Sequence, residues 1–425
     1  MVKYSCDQCR KEFSQKSRYD SHKRRKTPCG LDDKNSVTVD KPVKNIIKEL
    51  KDEKLIVENE EVNVKTESIT QKPNQSKEID IKKEIDIKKE IEIKKEIKVV
   101  DSIKNKSHLR VLDLFCGCGG MSQGLEDAGL NIVAGLDIWD KAIDSYKQNF
   151  NHLAICDDIS KIDPKSFSIK YNIKHSDIDI IVGGPPCQGF SIAGKRDIKD
   201  PRNSLFMEYV KYLNYYNPKA FIMENVMGIL SMKNSSNFKV IDIIMEELNK
   251  NYNCIICKLY ASDFEVPQNR RRVIIIGIRK DLNIIPTEPI QILTKENRIP
   301  VSTILLPKED VDIKQYLSEK ALNGIKAKRE KAKNNGNGFG AQFLKMDKPS
   351  YTIPARYWKD GYDALVAYSD KDVRRLTILE LKRIQSFSDN FVLIGNKKEQ
   401  IMQIGNAVAS RFAYHLGKHM ISILQ

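Results

Sequence analysis

From residue 108 to the C-terminus, short apolar runs alternate with stretches of helical character. The apolar runs predict buried strands at Leu109–Leu114, Ile132–Leu136, Ile178–Val182, Ala220–Met223 and Val273–Ile278. The stretches between them predict helices at Gln123–Ala128, Lys141–Asn149, Ser204–Tyr215 and Phe238–Leu248. Because parallel strands need a crossover connection, usually a helix, this alternation predicts an α/β fold with a mainly parallel sheet.

The pattern changes twice after the last of these strands. Residues 284–372 are rich in Asn, Gly, Lys and Pro, which predicts a separate, smaller, loop-rich domain. Residues 373–425 return to apolar and helical sequence, with a segment at Leu376–Phe387 and a last helix after Asn406. We therefore expect one domain at 107–283 that is completed by residues 373–425.

The first thirty residues predict a small zinc-binding module. A segment this short cannot bury a sufficient core, whereas a tetrahedral Zn²⁺ ion can close such a fold. Phe13 and Tyr19 lie where a ββα finger packs its two core side chains, so the segment 1–30 resembles a zinc finger of the Cys-Cys-His type. The alternative is a disordered basic tail with incidental cysteines. The candidate metal ligands are Cys6, Cys9, His22 and Cys29.

Residues 31–106 contain no glycine, cysteine or aromatic side chain. Their centre repeats six residues, Glu-Ile-Asp-Ile-Lys-Lys, from Glu78 and again from Glu84, with a close copy from Glu90. A period of six drifts around a helix of 100° per residue, so the isoleucines form no continuous apolar face. We predict a low-complexity, disordered linker.

The net charge of +15 is unevenly distributed. Residues 1–30 carry a surplus of +6, residues 31–106 cancel, and the rest of the surplus lies in residues 107–425. Two basic regions favour a polyanionic partner, most simply double-stranded DNA. The sequence contains no apolar run long enough to span a membrane and does not begin like a secretory signal. We expect an intracellular protein, cytoplasmic or nuclear, with its nine cysteines reduced or bound to metal.

A glycine-rich turn follows the first predicted strand. Within the run Asp113–Ser122, Gly117, Gly119 and Gly120 allow the backbone to turn tightly and to approach a ligand closely. About twenty residues later the next strand ends at Asp137, where a carboxylate can accept both hydroxyls of a ribose.

Two other interpretations of this turn are open to test. A dinucleotide site is the default for a glycine-rich turn, but the spacing Phe-x-Gly-x-Gly-Gly differs from the Gly-x-Gly-x-x-Gly of NAD-binding proteins. A metal site is disfavoured because Cys116 and Cys118 have one residue between them and no further ligand nearby. A carboxylate pair, Asp157 and Asp158, follows as a third acidic position before Ile159.

Cys187 follows two glycines and two prolines in the run 183–191. Proline fixes its own φ and lacks a backbone donor, so this thiol is held in a rigid loop, as a nucleophile requires. A buried cysteine that merely fills space is the alternative for such a residue in isolation.

Three further segments supply polar groups that such a thiol would need. A strand presents Glu224 near its end, and Arg270 and Arg272 precede another strand on one face by period-two alternation. The run Gln403–Ala409 is predicted to open the last helix.

From Leu109 onward, these motifs resemble those of the C5-cytosine DNA methyltransferase family in order and spacing, over about three quarters of the chain. The motifs are Phe-x-Gly-x-Gly-Gly, Pro-Pro-Cys-Gln-Gly-Phe-Ser, Glu-Asn-Val, Gln-x-Arg-x-Arg, Arg-x-Leu-Thr-x-x-Glu-x-x-Arg-x-Gln and Gly-Asn-Ala-Val. The resemblance implies a Rossmann-like, S-adenosylmethionine-dependent methyltransferase fold with residues 284–372 as target-recognition domain. It also implies an enzyme that modifies DNA, as the methyltransferases of restriction–modification systems do. We expect this enzyme to act as a monomer on DNA.

The resemblance further implies a mechanism in which the target cytosine is flipped out of the duplex. The Cys187 thiolate attacks C6, a protonated Glu224 donates to N3, and Arg270 and Arg272 hold O2 and orient Glu224. S-adenosylmethionine then provides the methyl group for C5. The implied cofactor-binding residues are Phe115, Gly117, Gly119, Asp137, Asp158, Ile159, Asn406 and Val408.

Two other functions remain open at this point. One branch of the same family methylates transfer RNA, but that branch tends to carry Pro-Pro-Cys-Gln-Pro-Phe, whereas Gly189 follows Gln188 here. A DNA-binding relative without turnover would be expected to lose Cys187, Glu224 or an arginine, and all are present. DNA cytosine-5 methylation is therefore the favoured function.

Overall fold

The computed structural model describes residues 107–186, 204–234, 237–334, 341–359 and 361–425, together with two short strands near the N-terminus. The chain divides into two units, Met1–Ile85 and Asp86–Gln425. In the first unit, β1 (Tyr4–Ser5) pairs antiparallel with β2 (Glu12–Phe13). The remainder of the fold lies in the second unit.

The second unit contains nine strands and nine helices among its described residues. The strands are β3 (Arg110–Leu114), β4 (Asn131–Asp137), β5 (Leu153–Cys156), β6 (Ile180–Gly183), β7 (Ala220–Val226), β8 (Tyr252–Tyr260), β9 (Arg271–Arg279), β10 (Leu365–Ala367) and β11 (Val373–Arg375). The helices are α1 (Gly120–Asp127), α2 (Asp140–Asn149), α3 (Pro164–Tyr171), α4 (Ser204–Tyr216), α5 (Val240–Leu248), α6 (Glu319–Asn334), α7 (Ile378–Ile384), α8 (Lys397–Asn406) and α9 (Ser410–Leu424). Short 3₁₀ helices lie at His175–Asp177, Met227–Leu230, Ala261–Phe264, Lys280–Leu282, Val301–Ile304, Lys308–Asp310, Ile313–Gln315 and Ala355–Trp358.

The central sheet has seven strands in the order β5-β4-β3-β6-β7-β9-β8. The first five of these pair in parallel, and β9 pairs antiparallel with both β7 and β8. The prediction of an α/β fold with a mainly parallel sheet is confirmed, and each predicted strand is present. The strand order changes direction at β3, because β4 lies on one side of it and β6 on the other. Open α/β sheets bind ligands at such a topological switch point.

Side chains of each central strand alternate between two apolar layers. In β3, Leu112 and Leu114 pack into one layer, with α4 and α5, while Val111 packs into the other, with α1 and α9. Both layers are closed to solvent, which is why these strands appear in the sequence as continuous apolar runs.

A third apolar cluster joins residues 301–366 to the C-terminal helices. Val301, Ile353 and Tyr357 pack in it with residues of α7 and α8. The prediction that Gln403–Ala409 opens the last helix is wrong in position. Gln403 lies in α8, which ends at Asn406, and the last helix begins only at Ser410. The extended backbone of Ala407 (φ −62°, ψ 148°) ends α8.

An ion pair closed to solvent stabilises the start of α7. Arg374 donates to both oxygens of Glu380, at 2.9 and 2.8 Å, and both side chains are 0% exposed. The Glu380 carboxylate also accepts from the backbone N–H of Leu306 and of Thr377, the N-cap residue of α7. A buried pair of this kind is stable only when further hydrogen bonds satisfy its charges, as they do here.

No helix in the part of the chain that the structure describes is long and apolar enough to cross a membrane.

Glu380→Ala is expected to destabilise the fold because it leaves the Arg374 charge buried without its partner. The free energy of unfolding, measured with urea, should fall by about 3 to 5 kcal/mol. The matched control is Asp363→Ala, which removes the more exposed pair with Arg356 (3.0 Å) and should cost at most about 1 kcal/mol. Equal losses in the two variants would contradict the assigned role of the buried pair.

Candidate active site

A cavity of about 900 Å³ lies at the carboxyl ends of the parallel strands, next to the switch point at β3. Its walls come from the turn after β3, the ends of β4, β6 and β7, the start of β9, the segment 352–355 and the end of α8. The predicted site residues among its walls are Phe115, Gly117, Asp137, Asp158, Ile159, Glu224, Arg270, Arg272 and Asn406. Residues predicted for cofactor binding and for catalysis therefore share one cavity.

The glycine-rich turn faces open space. Phe115 and Gly117 both have left-handed backbones, with φ of 62° and 55°, and a Cβ added at Gly117 would meet no atom within 4 Å. The Gly117 N–H donates to Asp137 Oδ2 at 2.9 Å, and the Trp139 N–H donates to Oδ1 at 2.9 Å. Each carboxylate oxygen has a further lone pair that a ligand hydroxyl can use. The turn and Asp137 together form a cradle with open space and acceptor oxygens for a ligand that carries hydroxyl groups.

The wall next to Asp137 combines a carboxylate with apolar side chains. Asp158 Oδ1 accepts from the backbone and hydroxyl of Ser160, at 3.0 and 2.6 Å, and these hydrogen bonds lower the pKa of Asp158. Ile159 lies beside it, and Ile138 lines the same cavity although its side chain is 66% exposed. An exposed isoleucine at a cavity wall is suited to cover the face of a flat ring. The sequence analysis missed Ile138, although its position directly after Asp137 was a usable signal.

Two of the predicted cofactor residues do not line the cavity. Gly119 (φ 102°) lies over the aromatic side chains below the turn, where an added Cβ would be 2.3 Å from Phe150. Val408 approaches the turn through its carbonyl oxygen, which would be 2.2 Å from a Cβ on Gly120. Both residues pack closely around the turn, and their contact with a ligand stays a prediction.

A chain of hydrogen bonds runs beneath the same turn. Ser122 Oγ donates to Asp113 Oδ2 at 2.6 Å, Tyr146 OH lies 2.7 Å from Ser122 Oγ, and His152 Nε2 lies 2.7 Å from Tyr146 OH. Burial raises the pKa of the Asp113 carboxyl to about 7, and burial lowers the pKa of His152 to about 4. The chain thus links a buried carboxyl to a half-buried, neutral imidazole.

At the other end of the cavity, Glu224 and Arg272 are brought together by strand register. Arg272 is paired with Val226 across β7 and β9, and Glu224 lies two residues before Val226 on the same face. Arg272 Nε lies 2.7 Å from Glu224 Oε1, although its N–H is not directed at that oxygen. Gly184 leaves room for the carboxylate, since a Cβ there would be 3.2 Å from Oε2.

Arg270 has a different environment from Arg272. Its side chain is buried, and Nη1 donates to the carbonyl oxygens of Gly405 at 3.2 Å and Ile353 at 3.5 Å. Burial, followed by the nearby charge of Arg272, lowers the pKa of Arg270 to about 9. Its Nε has no hydrogen-bond partner. Arg272, and not Arg270, is in direct contact with Glu224. Arg270 instead connects the cavity wall to α8 through hydrogen bonds.

A buried glutamine pair, missed in the sequence analysis, holds this wall together. Gln268 Nε2 donates to Gln385 Oε1 at 2.9 Å, and Gln268 Oε1 accepts from the Ile353 N–H at 3.0 Å. Gln385 Nε2 in turn donates to the carbonyl oxygens of Ile404 and Ala407. The signal was present in the sequence, because each glutamine stands at a fixed place in one of the recognised motifs.

The predicted nucleophile, Cys187, lies outside the described residues. The two prolines before it line the cavity, and Asn225 Nδ2 donates to the Pro185 carbonyl oxygen at 3.0 Å. The structure therefore describes the strand end and the prolines that lead to Cys187, and Asn225 fixes them. The predicted zinc ligands Cys6, Cys9, His22 and Cys29 also lie outside the described residues. Within the described part of the chain, no group of three or more His, Cys, Asp or Glu side chains could hold a metal ion.

Comparison with known proteins agrees with this arrangement. The sequence profile of the C-5 cytosine-specific DNA methylase family matches residues 109–422. The chain belongs to this family. It is accordingly a DNA cytosine-5 methyltransferase, and S-adenosylmethionine is the cofactor expected of it.

Individual relatives extend the same comparison. Type II methyltransferase M1.ScrFI of Lactococcus lactis subsp. cremoris is 34% identical over 325 residues, which cover 74% of this chain and 79% of that protein. Type II methyltransferase M.DdeI of Desulfomicrobium norvegicum is 47% identical over 176 residues, which cover only 41% of each chain. The crystal structure of the S. pombe Dnmt2 methyltransferase, at 22% identity and a TM-score of 0.60, covers 75% of this chain and 100% of that one, and it supports the fold.

Asp113→Asn is expected to change how stability depends on pH. Because burial raises the pKa of Asp113 from 3.8 to about 7, the neutral carboxyl stabilises the fold fully below about pH 4, and this stabilisation is lost as the pH rises through 7. Between about pH 4 and pH 8, the free energy of unfolding of the wild type should fall relative to the variant by roughly 4 kcal/mol. Urea unfolding across this range measures the difference, and a pH-independent difference would contradict the assignment.

Proposed function

We propose that this methyltransferase flips a cytosine out of duplex DNA and methylates its C5 atom within a specific sequence. The observation that carries the proposal is the single cavity that joins a ribose cradle at Asp137 to the Glu224–Arg272 pair. A methyl donor and a target base must come within about 3 to 3.5 Å of each other before transfer, so their binding groups have to share one cavity.

For the cofactor, we propose that the end of the cavity at β3 and β4 binds S-adenosylmethionine. Asp137 would accept from the ribose hydroxyls and Asp158 from the adenine amine, while Ile138 and Ile159 flank the adenine ring. Asn406 would lie toward the methionine end, near Phe115. The fit is supported by the open space at Gly117 and by the unused carboxylate lone pairs of Asp137.

For the base, we propose that Cys187 acts as the nucleophile and Glu224 as the proton donor. The Cys187 thiolate adds to C6, which makes C5 nucleophilic, and Glu224 delivers a proton at N3 to neutralise the charge that this attack creates. The bound cofactor supplies an electrophilic methyl group. Loss of the C5 proton then re-forms the ring double bond and expels the thiolate. Arg272 orients Glu224, and Arg270 holds the wall behind it.

DNA is the proposed substrate, in preference to RNA. The curated relatives are named as Type II methyltransferases, which supports a sequence-specific DNA modification enzyme of restriction–modification type. The net charge of +15 favours a polyanion of either kind. Residues 284–372 are the proposed target-recognition domain, because they lie between the Arg270 motif and the motif that begins at Arg374.

At the N-terminus, we propose a zinc-bound finger that adds a second contact to DNA. The observation that favours it is the hairpin of β1 and β2, in which Tyr4 pairs with Phe13. The hairpin closes a connection whose sequence contains Cys6 and Cys9, and a zinc finger of this type begins with such a hairpin. His22 and Cys29 would complete the tetrahedral ligand set.

Cys187→Ala should abolish methyl transfer while DNA binding persists. DNA that carries 5-fluorocytosine at the target should trap the wild type as a covalent adduct, because fluorine cannot leave as a proton does, and should not trap the variant.

Glu224→Gln should lower kcat by about 10² or more. Cys156→Ala is the matched control, since Cys156 is an exposed thiol, and it should keep full activity. Adduct formation by Cys187→Ala would refute the assigned nucleophile.

The zinc proposal predicts one Zn²⁺ ion per chain of the full-length protein, measured by elemental analysis after dialysis. Cys6→Ser should lose the ion, because a structural zinc site needs all four ligands. Cys156→Ser should retain it. A protein that contains no zinc, or a Cys6→Ser variant that still holds one, would show that the N-terminal segment is not a zinc finger.

A further inference from the structure

A short 3₁₀ helix and α8 together lead from the cavity to the protein surface. The 3₁₀ helix Ala355–Trp358 begins at the cavity, which Ala355 lines, and ends at a tryptophan that is 36% exposed. Helix α8 ends at the cavity with Asn406. The two helices pack closely, since a Cβ on Gly405 would lie 2.4 Å from the backbone nitrogen of Ala355. The outer ends of the two helices are therefore held at a fixed distance from the cavity.

Two lysines converge on the exposed tryptophan at these outer ends. Lys398 Nζ, in the first turn of α8, lies 4.5 Å from the centre of the Trp358 ring, and Lys359 Nζ lies 5.8 Å from it. An indole ring attracts each ammonium group through its quadrupole, but the two cations repel each other. The arrangement is consequently a concentrated positive charge on a flat, partly exposed platform.

These two cations differ from the neighbouring Arg356 in what they contact. Arg356, in the same 3₁₀ helix, pairs with Asp363 at 3.0 Å. Among the described residues, no ion pair includes Lys359 or Lys398, and both side chains are exposed. Because these two cations share one ring and pair with no carboxylate in the part of the chain that the structure describes, they are complementary to an external anion.

We propose that Trp358, Lys359 and Lys398 form a phosphate-binding platform that grips the DNA backbone beside the flipped base. The proposal rests on the function argued above and extends it by naming a contact surface. Lys398 lies eight residues before Asn406 on α8, which corresponds to about 12 Å along the helix axis.

A backbone contact of this kind positions the duplex and reads no base. Phosphate contacts contribute to affinity for every DNA sequence and make the affinity depend on salt. Removing one cation should therefore weaken binding without changing the recognised sequence or the chemistry at the cavity.

Lys398→Ala provides the test, with binding of a duplex of about 25 base pairs measured over a series of salt concentrations. The slope of log affinity against log salt should become shallower by about 0.9, and the affinity near 0.15 M salt should fall about fivefold. The methylated sequence and kcat at saturating DNA should remain those of the wild type. Trp358→Ala should also weaken binding, because it removes the platform that holds both ammonium groups.

Lys418→Ala is the matched control. Lys418 Nζ lies 5.7 Å from the Tyr414 ring on α9, so it is also an exposed lysine over an aromatic ring, but no residue of α9 lines the cavity, whereas α8 reaches it at Asn406. An unchanged slope in Lys398→Ala, or an equal change in Lys418→Ala, would overturn the platform. A wild type that binds DNA with a normal salt slope but methylates no cytosine would instead overturn the proposed function, so the two failures are distinguishable.

Discussion

The antiparallel register of β9 on β7 is the constraint on which the base end of the site depends. It sets Arg272 opposite Val226, and thereby beside Glu224, although the next pair inward, β6 with β7, runs in parallel. A shift of one residue would turn Arg272 to the opposite face and leave Glu224 without its cation. Gly277 resists such a shift, because it lies opposite Phe221 and a Cβ at its position would be 2.0 Å from the Phe221 ring.

The sequence predicted the sheet better than it predicted the connections. Five strands were apparent because burial on both faces produces unbroken apolar runs. Strands β5 and β8 lie at the two edges of the sheet and are only partly buried. β5 is only 4 residues long and β8 is interrupted by polar residues, so neither gives a clear apolar run. The break between α8 and α9 was misplaced because the sequence from Gln403 to Ala409 contains no proline, and its only glycine lies inside α8.

Site residues were predicted from the order of the motifs, which indicates which residues share a site but not which atoms each side chain contacts. Order placed Asp137, Glu224 and Arg272 at one cavity, but it could not distinguish a residue that faces a ligand from one that shapes the turn. Gly119 and Val408 pack around the turn, beside Phe150 and Gly120 respectively, and their contact with a ligand stays a prediction. Gly120 and Val408 lie far apart in the sequence, and only the three-dimensional packing reveals their contact.

The two ends of the cavity are mechanically linked through the end of α8. The Gly405 carbonyl oxygen accepts from Arg270 at the base end, and the next residue, Asn406, lines the cavity. The absence of a side chain at Gly405 allows Ala355 to approach, and Gln385 binds the adjacent Ile404 carbonyl oxygen. Because buried packing of this density does not deform smoothly, a displacement at one end must be transmitted to the other. The proposed cofactor end and the proposed base end of the cavity are therefore joined by one packed element, as a direct methyl transfer between two bound molecules requires.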